Sequence, residues 1–146
     1  MRTPTAINLA LALSLALAAC NSGPEADLPG NAADDQPFAA IGEDETIRLV
    51  GTEPFWGGDI AHGMLTWSTP ENIDGERVPV TRFAGRGGLS FSGELDMRLF
   101  DIAITPASCS DGMSDRTYPY VATVQLGDQQ LHGCAWSENE GYSGGE

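Results

Sequence analysis

Residues 93–105 read GELDMRLFDIAIT, and the phasing of their apolar residues decides how many strands the chain has and how they curve. Leu95, Met97 and Leu99 alternate with Glu94, Asp96 and Arg98, the two-residue period of a strand with one apolar face. From Phe100 onward the apolar set moves to Phe100, Ile102 and Ile104. A slip of one residue inside a continuous strand is what a β-bulge produces, and bulges bend long strands around barrels or between packed sheets. The pattern therefore predicts one long strand with a bulge at Leu99-Phe100.

On the C-terminal side, YPYVATVQLGDQQLHGCAW (118–136) holds two alternating runs around Gly127-Asp128, a dipeptide suited to the positive backbone angles of a hairpin turn. Parity places Tyr120, Ala122, Val124, Leu131, Gly133 and Ala135 on one face. Val121, Thr123, His132, Cys134 and Trp136 fall on the other. On the N-terminal side, ETIRLVG (45–51) and GMLTWST (63–69) alternate in the same way, and ERVPVTRF (76–83) places Pro79 between Val78 and Val80, which suits an edge strand or a bulge. No helical period is sustained outside the first twenty residues. The expected fold is all-β, a small antiparallel barrel or sandwich of about seven strands with one disulfide.

The first twenty residues, MRTPTAINLALALSLALAAC, place Arg2 before an apolar run too short to span a bilayer, which reads as a signal peptide. Its end, Leu17-Ala18-Ala19-Cys20, resembles the bacterial lipobox, so Cys20 is the expected lipidation site and palmitate an expected modification. Two or three acyl chains anchor a protein stably where one binds marginally. Asn21 lacks the aspartate of inner-membrane retention, so the expected address is the periplasmic side of the outer membrane more than the inner. From Asn21 to Asp44 six acids, no base and three prolines read as a solvated tether. The chain thus divides into a signal peptide over 1–19, a lipidated N-terminus and acidic tether over 20–44, a β-domain over 45–137 and a polar tail over 138–146.

The mature chain carries six arginines, no lysine and 21 acids, a net charge of −15. Such a surface repels phosphates, so nucleic acid is excluded as a partner. The membrane, through the lipid anchor, and a cationic envelope protein are the partners that fit. Of three cysteines, one is lipidated, and the remaining Cys109 and Cys134 sit in an oxidising compartment, which suggests one disulfide.

No coherent catalytic set emerges. GYSGG (141–145) matches G-x-S-x-G, but the sequence ends one residue after it with no helix to follow, so Ser143 is expected in a polar tail and not at a nucleophile elbow. Cys109, Cys134, His132 and His62 offer metal-binding atoms without metal-site spacing, and Met113 adds a soft donor for copper. The loop from Asp111 to Asp115 lacks the third-position ligand of a calcium loop, and its Asp111 and Ser114 read as turn caps. The expectation is no catalytic residue, no metal and no cofactor. GTEPFWGGDI (51–60) is the other distinctive stretch. Exposed, Phe55 and Trp56 would anchor an interface or stack on a sugar; buried, they would plug one end of a small barrel, the preferred reading for a domain with a modest core.

Together GTEPFW (51–56), CSDGMSD (109–115) and GCA (133–135) resemble a family of bacterial envelope lipoproteins in which these blocks recur in this order. The resemblance covers residues 45–136. In address and size such proteins are similar to META-type domains and the membrane-bound inhibitors of c-type lysozyme. It implies that Cys109 pairs with Cys134 and that the blocks share one feature of the fold. The candidate binding residues are Glu53, Phe55 and Trp56, with Asp111, Asp115 and Arg116 on a pinned loop beside them. The expected function is a lipid-anchored, non-catalytic binding or structural domain, with inhibition of a cationic wall hydrolase such as lysozyme, or hydrolysis of cell-wall glycan, as alternatives.

Overall fold

A computed structural model describes residues 35–145, so the expected signal peptide, Cys20 and the first part of the expected tether lie outside the described residues. The described chain forms eight strands: β1 (Ile47–Gly51), β2 (Gly57–Ala61), β3 (Met64–Thr69), β4 (Asn72–Ala84), β5 (Leu89–Leu95), β6 (Arg98–Cys109), β7 (Tyr118–Leu126) and β8 (Gln129–Ser137). Each pairs antiparallel with its neighbour in sequence, and β8 returns to β1, so the sheet is a closed barrel. Closure leaves no strand at the end of an open sheet, which is how a small all-β domain limits unpaired backbone.

The phase slip in residues 93–105 is a turn and not a bulge. Leu95 pairs with Arg98 and Gly93 with Phe100, so Asp96 and Met97 form a two-residue hairpin turn, both with positive φ (51° and 59°). A two-residue turn shifts the inward parity by one, as a bulge does, because the paired residues on either side of it face the same way. Leu95, Phe100, Ile102 and Ile104 are buried, whereas Met97 and Leu99 are exposed. The turn divides the expected long strand in two, which raises the strand count to eight. A left-handed backbone at a methionine costs about 1 kcal/mol relative to glycine. Met97→Gly is therefore expected to raise the unfolding free energy by about 1 kcal/mol, read from urea denaturation. A decrease would show that Met97 makes a stabilising contact.

The 118–136 hairpin has the predicted faces. Tyr120, Ala122, Val124, Leu131 and Ala135 are buried in the interior, and Leu126 pairs with Gln129 across Gly127-Asp128. Pro79 is paired on one side only, as the sequence suggests for an edge position. Residues 72–79 of β4 pair with β3 and residues 80–84 with β5, so the missing N–H falls where the strand changes partner.

An eight-stranded barrel is just wide enough for side chains to fill it. Leu49, Ile60, Leu65, Phe91, Ile102 and Val124 belong to the core that fills it. The connections alternate between the two ends. Residues 52–56, 70–71, 96–97 and 127–128 form the upper end, and residues 62–63, 85–88 and 110–117 the lower.

The packed domain also begins earlier and ends later than residues 45–137. Ile41 is 1% exposed and belongs to the core, and the Phe38 N–H donates to the Gly85 carbonyl at 2.8 Å while its ring meets Tyr120 edge-on at 6.2 Å. Phe38 and Ile41 close the lower end, so the tether stops short of them. An acidic, proline-bearing segment had hidden two isolated apolar residues that no periodicity could mark. At the other terminus the Glu140 carboxylate accepts from the Tyr120 hydroxyl at 2.6 Å, and Thr117 and Ser143 exchange backbone hydrogen bonds. Residues 138–143 are therefore strapped to the barrel.

Candidate functional site

At the upper end, five residues connect β1 to β2, and the chain uses them to fold Trp56 back over the barrel mouth. Its indole is 5% exposed and stacks on Trp67 at 4.7 Å between centroids, 9° from parallel. Two facing glycines make this possible. Gly51 and Gly133 pair across β1 and β8, and a Cβ on Gly51 would lie 2.2 Å from the indole. The indole N–H is buried with no acceptor among the described residues, a cost of about 1–3 kcal/mol offset by burial of the ring. Trp56 is thus the plug. Phe55, its neighbour, is 48% exposed and takes no part in the plug.

Above this floor lies an open groove of about 660 Å³. Trp56, Trp67, Leu126 and Leu131 form its base, and Glu53, Phe55, Pro70, Glu71, Arg98 and Gln129 its walls. Arg98 faces the groove because it pairs with the inward-facing Leu95 across the hairpin turn.

The pinned loop is built differently. Cys109 and Cys134 form a disulfide with Cα atoms 5.6 Å apart, tying the end of β6 to the outward face of β8. Within the loop the Asp111 carboxylate accepts from the N–H groups of Met113 (3.0 Å) and Ser114 (2.9 Å), and from the hydroxyls of Ser114 (2.8 Å) and Tyr118 (3.0 Å). The two backbone N–H donors, assisted by the hydroxyls, hold its pKa well below the usual carboxylate range. Asp111 is therefore a staple that fixes the loop. Arg116 lies 4.6 Å from the centre of the Tyr142 ring, which packs with Tyr118 and Trp136, and Asp115 is exposed.

A carboxylate whose folded pKa is depressed stabilises the fold above its unfolded pKa of about 3.9 and loses that contribution as pH falls toward the folded value. Asp111→Asn is thus expected to flatten the acid limb of stability below about pH 4, measured as the urea midpoint against pH. An unchanged acid limb would remove Asp111 from the titration.

The structure brings Glu53, Phe55 and Trp56 together at the groove and places Asp111, Asp115 and Arg116 in the connection at the opposite end. The two halves of the expected site are therefore separate. What the three sequence blocks share is the β1–β8 seam, where Gly51 and Gly133 underlie Trp56 and Cys134, beside Gly133, carries the disulfide. His62 sits in a lower turn and His132 is exposed on the wall; among the described residues no three His, Cys, Asp or Glu side chains are grouped to hold a metal ion.

No protein-family model, curated protein or solved structure matches the chain.

The groove residues not foreseen include Trp67, Glu71, Arg98 and Gln129. Trp67 was legible as an inward strand residue, but the other three sit at strand ends, where polar residues are the rule and only the closed barrel shows that they converge.

Proposed function

We propose that the protein is a lipid-anchored envelope binding module, carried on Cys20 and facing the periplasm, whose upper barrel end is the working face. One observation carries this reading: a half-exposed Phe55 stands over a buried Trp56–Trp67 stack at the mouth of a groove, while core side chains fill the barrel beneath. With the lumen occupied, recognition falls to the ends and walls, and exposed aromatic side chains are enriched at binding hot spots. The described chain enters through the lower end, which leaves the four upper connections uncovered among the described residues.

A photo-crosslinking amino acid at position 55 in living cells is expected to give a discrete adduct, whereas the same group at Phe83, exposed on the wall, gives none. Identical outcomes at both positions would sink the assignment of the working face. Incorporation of labelled palmitate, abolished by Cys20→Ala, tests the anchor independently.

Inhibition of a cationic wall hydrolase is a second reading, favoured by the mature charge of −15. It requires saturable inhibition of lysozyme that survives moderate salt, since a purely diffuse attraction between exposed charges is screened beyond about 10 Å at 0.1 M.

A further inference from the structure

Each of the four upper connections contributes one exposed acid: Glu53, Glu71, Asp96 and Asp128. None of the four connections contains a base, and none of the four carboxylates is in an ion pair among the described residues. Arginines are placed instead in the lower connections, at Arg86 and Arg116. Arg98 is the one base lining the groove, and its stem runs along the Gly127 turn, 3.6 Å from where a Cβ on Gly127 would lie.

Beside these acids the upper end also exposes two large apolar side chains. Phe55, which lines the groove with the two tryptophans, is 48% exposed, and Met97, beside Asp96 in the β5–β6 turn, is 93% exposed. Met97 holds its place with a positive φ that glycine would adopt at no cost, so the turn keeps a large apolar side chain outward against its own backbone preference. An apolar centre inside a charged, hydrated rim is the anatomy of a protein interface. The sign of the rim selects the partner, because like charges at the edge of an interface oppose association and opposite charges steer it. Anionic lipid and nucleic acid are disfavoured on the same ground.

We infer that the upper end docks a basic protein surface, with an apolar side chain ringed by lysine or arginine seated over the Trp56–Trp67 floor and its cations set against the four carboxylates. This rests on the reading of the upper end as the working face, and adds the chemistry of what that face takes.

The test uses the full chain in detergent micelles and three probes: labelled Lys-Lys-Phe-Phe-Lys-Lys, labelled Glu-Glu-Phe-Phe-Glu-Glu and chitotetraose. At about 0.1 M salt the basic peptide is expected to bind about tenfold or more tighter than the acidic one, by fluorescence anisotropy. Neutralising the rim (Glu53→Gln, Glu71→Gln, Asp96→Asn, Asp128→Asn) removes most of that difference, and Phe55→Ala weakens the basic peptide with the fold intact by circular dichroism. All five positions are solvent-exposed, so their replacement leaves the core in place. Equal affinity for the two peptides, a preference unchanged by neutralisation, or binding of chitotetraose alone overturns the inference; if Phe55→Ala still weakens whichever probe binds, the upper end remains the working face. Failure of all three probes to bind, or binding indifferent to Phe55→Ala, overturns both.

Discussion

Gly133→Ala is expected to lower the unfolding free energy by about 3 kcal/mol, enough to remove a large share of the stability of a domain this size. The added methyl would lie 2.3 Å from the Val50 carbonyl oxygen, 2.9 Å from the Gly51 Cα and 3.0 Å from the Trp56 ring. Two of these neighbours are backbone in the adjacent strand, so no side-chain rotation relieves the clash. The strands must separate or the indole must leave the barrel mouth. Urea denaturation followed by tryptophan fluorescence reads the loss, and Gly87→Ala supplies the control, because a Cβ there meets nothing within 4 Å. A Gly133→Ala protein as stable as the control would refute the packing of the Trp56 plug described above.

Removing the disulfide is the second large effect. Cys109 and Cys134 are 25 residues apart in sequence, and cross-linking a loop of that length restricts the unfolded chain by about 3 kcal/mol. Replacing both by alanine avoids leaving a lone thiol at Cys134, which is fully buried. The double variant is expected to lose about 3 kcal/mol in urea denaturation and to exchange the amides of residues 110–117 faster. The Met113 and Ser114 amides should lag behind the rest, since both donate to Asp111 independently of the crosslink. A loss under about 1 kcal/mol would mean that the Asp111 staple and the Thr117–Ser143 contacts hold the loop unaided.

These two experiments address the part of the molecule most legible from sequence. The faces of the 118–136 hairpin followed from parity alone, and the burial of Trp56 followed from the need to fill a small barrel. Residues 93–105 misled because exposed Met97 and Leu99 continue the apolar alternation that Leu95 begins, so the turn between Leu95 and Arg98 imitates a bulge. A single acid in a turn or loop carries no functional mark when read alone. Glu53, Glu71, Asp96 and Asp128 become a ring only once alternating strands put their four connections at the same end. The same alternation separates Asp111 from Glu53, which sequence blocks of equal distinctiveness had suggested were neighbours.

The lower end has a mechanical consequence. Phe38 and Ile41 close the barrel on the side where the described chain begins, and the Arg82 guanidinium donates to the Ile41 carbonyl at 2.9 Å. A pull on the N-terminal segment is therefore borne first by this stopper and only then by β1. A protease that cuts before Phe38 would leave the barrel intact, whereas a cut after Ile41 would uncork it, so these few residues act as a cork held by its own chain.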